Sequence, residues 1–253
     1  MGTAAPKLVE KIVPLLREGV LIMSESITVL GFPQSSFVHI VRLVLEHKNV
    51  PYRFRDLEPE MGTPAHLALH PFDRVPILQH ADFTLYETSA IVAYLEEVFP
   101  RPALQPALPR DRALMNQWIS AVNSYYYPYM IYHVGHERNV YPRLGIESDE
   151  KVVAHALPKI EVGFQVVERQ LADGRPYLIG ADPTIADYYL LPSTFSFARH
   201  DEGKAMYARY PVLSAWRERV EALPAVRRFR TAEGAYGPIE HARKWVVSHR
   251  PKY

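Results

Sequence analysis

The sequence predicts an α/β domain followed by an all-α domain, and three observations support this fold class. The N-terminal part alternates short β-branched runs with amphipathic stretches of helical period. A proline-rich segment follows, and beyond it only long helical periodicities occur. We expect an N-terminal extension over residues 1–23, an α/β domain over 24–104 and a helical domain over 105–253.

The α/β domain begins with a strand, a helix and a second strand. Residues 27–30 form a β-branched, apolar run that ends at Gly31. Apolar residues then recur at nearly helical spacing over 38–45, and alternation of apolar and polar residues returns over 52–57. This order and spacing predict a βαβ unit.

Two more strands and two more helices are expected before the proline-rich segment. A short helix is predicted near residues 65–69. Residues 75–78 and 83–86 are strand candidates separated by a short turn, which predicts a hairpin. Residues 89–99 carry an apolar helix face. The resulting order, βαβαββα, is that of a thioredoxin-like domain.

The segment from Pro100 to Pro109 contains four prolines, which suit a linker better than a helix or strand. After it, Leu114, Trp118 and Val122 lie on one face of a predicted helix. A second helix is expected from Val152 to Leu171, and Pro128 is expected to kink the first one.

Composition and charge exclude several classes of function. The chain has 253 residues, of which 29 are Lys or Arg and 28 are Asp or Glu. This balance gives no electrostatic reason to expect nucleic acid or a membrane surface as a partner. No cysteine is present, which excludes a disulfide scaffold, a thiolate metal site and a cysteine nucleophile. Thiol chemistry in this protein must therefore use a thiol that a ligand carries.

The N-terminal residues do not read as a targeting segment. Residues 1–22 are too charged for a secretory leader, and Met23 begins a stretch that is typical of a protein start. We expect residues 1–22 to lie outside the fold.

Four segments, in this order, resemble the glutathione transferase superfamily and cover most of residues 26–192. The pattern is most similar to the plant-type phi class and its bacterial relatives, which use a serine. The segments are VLGFPQSSFVHIVRLVLE, HPFDRVPILQHADFTLYETSAIVAYLEE, the proline linker with DRALMNQWISAVNSYY, and RPYLIGADPTIADYYLLP.

This resemblance implies a cytoplasmic, homodimeric detoxification enzyme that uses glutathione as co-substrate and needs no metal. The enzyme would direct the glutathione thiolate at a small hydrophobic electrophile or reduce a peroxide with it. Two alternatives stay open. One is a non-catalytic dimeric scaffold of the same fold. The other is a zeta-type glutathione-dependent isomerase, whose Ser-Ser-Cys signature is Ser35-Ser36-Phe37 here.

The resemblance also implies roles for individual residues in binding glutathione. Ser35 would hydrogen-bond the sulfur. Val75, followed by a cis Pro76, would pair through its backbone with the cysteinyl part. Glu87 and Thr88 would hold the γ-glutamyl end.

The family pattern is not complete in this chain. The usual Asn-Pro is His70-Pro71. The lysine that is expected to contact the glycyl carboxylate falls near Thr63, so Arg74 is the candidate to replace it.

The residues themselves allow simpler interpretations. Ser35 or Ser36 could serve only as a helix N-cap, as could Thr88. A hydroxyl that also donates to a thiolate would lower the thiol pKa, which is about 8.5 for a free thiol. Thr184 and Asp187 fit a variant of the capping box, so Asp187 is predicted to act in folding and not in catalysis.

Tyrosines cluster on the first long helix of the second domain. Tyr125, Tyr129 and Tyr132 would share one face of an α-helix. They are candidates either for a core stripe or, by the resemblance, for the second-substrate pocket. His133 and His136 lack further ligands at metal-binding spacing, so no metal site is expected there.

Overall fold

The N-terminal domain of the computed structural model is a four-stranded sheet with helices packed against it. The structure describes residues 26–232 and Arg250, so the expected extension over 1–23 lies outside the described residues. The predicted thioredoxin-like order βαβαββα is confirmed. Its elements are β1 (Ile27–Gly31), α1 (Ser36–Lys48), β2 (Tyr52–Asp56), α2 (Pro64–Leu69), β3 (Ile77–His80), β4 (Phe83–Tyr86) and α3 (Thr88–Val98), with a 3₁₀ turn at Glu58–Glu60.

The sheet has the strand order β2-β1-β3-β4. β1 runs parallel to β2, and β3 is antiparallel to both β1 and β4. The central strand β1 is the most apolar, and Val29 and Leu30 in it are fully buried. The third strand begins at Ile77, two residues later than the sequence suggested, because Val75 and Pro76 precede the ladder.

A buried ion pair holds the start of the proline-rich linker. The Lys48 ammonium, which is fully buried, lies 2.6 Å from the Glu96 carboxylate and donates to the Phe99 carbonyl oxygen at 2.7 Å. The Glu96 carboxylate also accepts from the Leu104 and Gln105 N–H groups. The chain is thus fixed to the first domain at the point where it leaves it.

The second domain consists of helices in the part of the chain that the structure describes, as predicted. None of the described helices is long and apolar enough to cross a membrane. The α-helices are α4 (Pro109–Ala121), α5 (Tyr141–Arg143), α6 (Glu150–Gln170), α7 (Ile185–Phe197), α8 (Asp201–Tyr207), α9 (Pro211–Glu221) and α10 (Pro224–Ala232). Between α4 and α5 the chain forms two π-helical segments, Val122–Tyr126 and Pro128–Val140.

The two domains pack through α1. His47 Nδ1 and the Tyr188 hydroxyl of α7 are 2.8 Å apart, and Arg228 of α10 donates to the Glu46 carbonyl oxygen. Because α1 begins in the loop after β1, packing of α7 and α10 on this helix brings the helical domain beside that loop.

The start of α7 confirms the predicted capping box. Asp187 is fully buried and accepts from the Thr184 N–H at 2.8 Å and from the Thr184 hydroxyl at 3.0 Å. It also accepts from the Leu178 N–H at 3.0 Å and from the Trp216 indole at 2.9 Å. One carboxylate therefore ties α7 to α9 and to the preceding loop.

Candidate functional site

A large cleft lies between the two domains. Its volume is about 740 Å³, which is within the usual range of small-molecule sites. Its N-terminal-domain wall includes all the residues that sequence analysis proposed for glutathione, namely Ser35, Arg74, Val75, Pro76, Glu87 and Thr88.

Ser35 lies at the start of α1 on the cleft wall. It is the N-cap of this helix, and its hydroxyl oxygen accepts from the Val38 N–H at 3.4 Å. Ser36 is the first residue inside the helix, so of the two serines that could cap it, Ser35 is the cap and Ser36 is not. A hydroxyl can accept one hydrogen bond and donate another. The cap therefore leaves the Ser35 O–H able to donate into the cleft.

The loop before β3 presents a peptide edge to the cleft. The Val75-Pro76 bond is cis, as predicted. Pairing of β3 with β1 begins at Ile77, so the ladder does not use the Val75 peptide groups. His66 holds the loop by donating from Nε2 to the Arg74 carbonyl oxygen at 2.9 Å and accepting at Nδ1 from the Gly62 N–H at 3.1 Å.

Glu87 and Thr88 lie at the N-terminus of α3. Glu87 has φ of 70° and ψ of 115°, a conformation that non-glycine residues seldom adopt and that is often found at functional sites. Thr88 begins the helix and lines the cleft, so the N-terminus of α3, whose first N–H groups have no acceptor within the helix, lies at the cleft wall. This end offers a carboxylate for a cation and a helix N-terminus for an anion.

The tyrosines are placed differently from the expected α-helical face. Tyr127 and Tyr132 line the cleft. Tyr125 and Tyr129 do not line it. The reason is the π-helical winding, which closes each turn with i→i+5 bonds. Tyr127 and Tyr132, five residues apart, have ring centroids 5.0 Å apart, whereas Tyr125 is 66% exposed.

Three imidazoles in the cleft are neutral at neutral pH. Burial lowers the pKa of His39 to about 4, and the charges of Arg42 and Arg199 act in the same direction. Burial also lowers the pKa of His70 and of His136 to about 4. These side chains can exchange hydrogen bonds with a ligand without adding charge.

Several cleft residues were not singled out from the sequence. Arg199 follows α7, and Phe229 and Arg230 come from α10. They are distant along the chain from the recognised segments, and no local motif marks them. His39 could have been found, because it lies one helical turn after Ser35 on the same face.

The structure gives no candidate metal site within its described residues. No group of three or more His, Cys, Asp or Glu side chains in residues 26–232 or Arg250 is arranged to hold a metal ion.

Family models match both domains. The model of the glutathione S-transferase N-terminal domain matches residues 25–97, and the model of the glutathione S-transferase C-terminal domain matches residues 118–224. Each match includes most of one structural domain.

Curated relatives match over nearly their whole length. The probable glutathione S-transferase GSTF1 of Oryza sativa subsp. japonica is 30% identical over 209 residues, which are 80% of this chain and 94% of the rice protein. Glutathione S-transferase 1 of Triticum aestivum is 29% identical over 214 residues, 80% of this chain and 92% of that protein. Maleylpyruvate isomerase of a Ralstonia species is 32% identical over 209 residues, 78% of this chain and 93% of that enzyme.

Solved structures show the same fold. Glutathione S-transferase III in its apo form superposes with a TM-score of 0.76 at 26% identity and covers 84% of this chain and 99% of its own. Glutathione transferase F7 of Populus trichocarpa superposes with a TM-score of 0.75 at 23% identity, covering 82% and 99% respectively. The matching domain models, the rice relative and the shared fold together establish that this chain belongs to the glutathione S-transferase family.

Proposed function

We propose that the protein is a glutathione transferase that binds glutathione along the N-terminal wall of the cleft. The Ser35 hydroxyl stabilises the thiolate, and the thiolate attacks an electrophile held by the helical domain. The observation that carries this proposal is the position of Ser35. Its oxygen caps α1 by accepting from Val38, so its O–H and the free N–H groups of the first turn can serve an anion in the cleft.

The rest of glutathione is assigned along the same wall. The Val75 peptide groups pair with the cysteinyl part as an added strand would. Glu87 takes the γ-glutamyl ammonium, and Thr88 with the α3 N-terminus takes the γ-glutamyl carboxylate. Arg74 takes the glycyl carboxylate in place of the lysine that the family uses.

The electrophile occupies the aromatic part of the cleft. Tyr132, proposed from the sequence, stays a candidate there. Tyr127 joins it, because it lies in the wall and its ring is 4.3 Å from that of Phe37. Tyr125 and Tyr129 are not assigned to this pocket. The working environment is the cytoplasm, where glutathione is a reduced thiol.

The glutathione-dependent isomerase is a second candidate, because a curated relative at 32% identity is named maleylpyruvate isomerase. The loop argues for the transferase, since Phe37 stands where the resemblance would place the cysteine of the isomerase signature. An isomerisation assay with a cis-unsaturated dicarboxylic acid, run beside a conjugation assay, separates the two functions.

Glutathione is expected to raise the melting temperature of the protein. A ligand that binds only the folded state at a hundredfold excess over its Kd stabilises it by about 2.7 kcal/mol. Thermal unfolding is measured with millimolar glutathione, with S-methylglutathione, which keeps the peptide contacts, and with glycine as control. No shift with either peptide would favour the non-catalytic scaffold.

We also expect a homodimer with a two-fold axis, in which the N-terminal domain of one subunit packs on the helical domain of the other. Phe72 in the first domain and Tyr125 in the second are each 66% exposed in the single chain, and such a contact would cover them. Light scattering at micromolar concentration should give twice the chain mass of 29.0 kDa. Phe72→Ser should shift the protein toward monomer, and a monomeric wild type would contradict the arrangement.

A further inference from the structure

The loop that carries Ser35 is a four-residue turn between β1 and α1. The Ser35 N–H donates to the Phe32 carbonyl oxygen at 3.1 Å, which closes the turn over Pro33 and Gln34. A proline suits the second position of such a turn because its φ is already fixed. Phe32, Gln34 and Ser35 all line the cleft. The conformation of this turn therefore sets where the Ser35 hydroxyl lies.

His39 holds the middle of this turn from α1. The closing bond uses the Phe32 carbonyl oxygen, so the Pro33 carbonyl group needs a partner from outside the turn. His39 supplies it, because its Nε2 donates to the Pro33 oxygen. The backbone N–H of His39 also donates to the Ser35 carbonyl oxygen at 3.0 Å. One residue of α1 thus fixes both the centre and the end of the turn.

The entry to the turn is fixed by packing. A Cβ atom on Gly31, the last residue of β1, would overlap the Val38 side chain, so the chain enters the turn in direct contact with the first turn of α1. Ser35 accepts from the N–H of the same Val38. With both ends fixed, the peptide group between Pro33 and Gln34 is the part of the turn whose direction depends on His39.

His39 is itself held in place by the helical domain. Its imidazole meets the Phe229 ring of α10 edge to face, at a centroid distance of 5.0 Å. Arg42, one turn further along α1, has its guanidinium 5.0 Å from the centroid of the same ring. Rotation of the imidazole away from Pro33 would lose the contact with Phe229.

His39 does not add charge to the cleft near neutral pH. Burial lowers its pKa to about 4 although the hydrogen bond to Pro33 opposes the shift, and the charges of Arg42 and Arg199 lower the pKa further. A carbonyl oxygen only accepts, so the neutral imidazole carries its proton on Nε2. An effect of His39 on the thiolate must therefore act through the position of Ser35.

We propose that His39 is a positioning residue for the thiolate, because it holds the Pro33 carbonyl group and so keeps the Ser35 hydroxyl directed at the glutathione sulfur. This inference rests on the proposed function. Loss of the imidazole should leave the peptide contacts at the loop before β3 and at α3 intact, while the hydroxyl is placed less accurately. A displacement of about 1 Å can cost roughly a hundredfold in rate.

His39→Leu tests the role of the donor, since it keeps an apolar side chain and removes the N–H group. We expect kcat/KM for conjugation to fall by about five- to tenfold and the pKa of the bound thiol to rise by about 0.5–1 unit, roughly half the effect expected of Ser35→Ala. Binding of S-methylglutathione, which has no thiolate, should be unchanged. His39→Gln has a side-chain N–H that can reach the same carbonyl oxygen, so it should restore most of both losses.

Coupling to Ser35 separates positioning from a general structural effect. If His39 acts through the Ser35 hydroxyl, His39→Leu should change neither kcat/KM nor the thiol pKa any further in protein that already carries Ser35→Ala. Additive effects of the two substitutions would overturn the proposal, because His39 would then act by another route.

His47→Leu is the matched control. His47 lies two turns further along α1, its Nδ1 is 2.8 Å from the Tyr188 hydroxyl, and burial lowers its pKa as well. It does not line the cleft. This variant should lower the melting temperature and leave turnover and the thiol pKa unchanged. An equal rise of the thiol pKa in His39→Leu and His47→Leu would assign the effect to lost stability and overturn the proposal.

The tautomer of His39 gives a readout on the wild-type protein alone. Nitrogen NMR of protein labelled in its histidines should show a neutral imidazole protonated at Nε2, assigned through its contact with the Phe229 ring. A proton on Nδ1 would overturn the proposal even if His39→Leu does not fold. A lowered thiol pKa that is the same in wild type and His39→Leu would overturn this proposal alone. A wild-type bound thiol that titrates like free glutathione would overturn the proposed function as well.

Discussion

Replacing Asp187 by Ala is expected to lower the free energy of unfolding by roughly 3–5 kcal/mol, because buried donors are left without an acceptor. The carboxylate accepts from the Thr184 backbone and hydroxyl, the Leu178 backbone and the Trp216 indole, and it is fully buried. For a chain of this size, such a loss lowers the melting temperature by roughly 10 °C. Denaturant unfolding followed by circular dichroism measures the change.

Trp216→Phe is the matched control for this prediction. It removes one of the donors to the carboxylate and keeps most of the aromatic packing, so it should cost about 1.5–3 kcal/mol, less than Asp187→Ala. Asp187→Ala protein that still folds should retain glutathione binding, since Asp187 does not line the cleft. A loss of turnover in Asp187→Ala without a loss of stability would assign this carboxylate to catalysis and contradict its structural role.

Ser35→Ala is expected to reduce kcat/KM for conjugation by roughly ten- to a hundredfold, the effect of losing a hydrogen bond of about 1.5–3 kcal/mol to a thiolate. Glutathione affinity should change little, because Val75, Glu87 and Thr88 hold the peptide in our assignment. Stability should fall by about 1 kcal/mol as well, since the same hydroxyl caps α1. Steady-state kinetics and thermal unfolding are measured on the same preparation.

Two further variants separate the cap from the catalytic donor. Ser36→Ala should leave both turnover and stability nearly unchanged, because Ser36 lies inside the first turn of α1 and is not its cap. Ser35→Asp keeps an N-cap acceptor but has no O–H at neutral pH, so it should fold well and turn over poorly. Full activity in Ser35→Asp would mean that residue 35 serves only as a helix cap.

The order of elements could be predicted because each one follows from local pattern. The structure contains an element or a boundary for each such pattern. The β-branched run at 27–30 is β1, the helical spacing over 38–45 lies in α1, and the capping pair Thr184 and Asp187 marks the start of α7. Binary pattern and capping act within a few residues, so a single sequence reveals them.

The parts of the cleft that could not be predicted depend on winding and on distant contacts. Tyr125, Tyr129 and Tyr132 share a face only if the helix is α-helical. With π-helical winding over Val122–Tyr126 and Pro128–Val140, Tyr127 lines the cleft and Tyr125 and Tyr129 do not. Arg199 reaches the cleft only because α7 packs against α1. Local sequence pattern does not show whether a helix is closed by α-helical or π-helical hydrogen bonds. It also does not show which distant segments pack together.

The central claim is that Ser35 and the α1 N-terminus stabilise the thiolate of bound glutathione. Its most direct test is an ultraviolet titration of the glutathione thiol on wild-type protein and on Ser35→Ala. We expect the pKa of the bound thiol in wild type to lie well below the value of about 8.5 for a free thiol, and Ser35→Ala to raise it by about 1–2 units. A bound thiol in wild type that titrates like free glutathione, or one whose pKa is the same in both proteins, would contradict the claim.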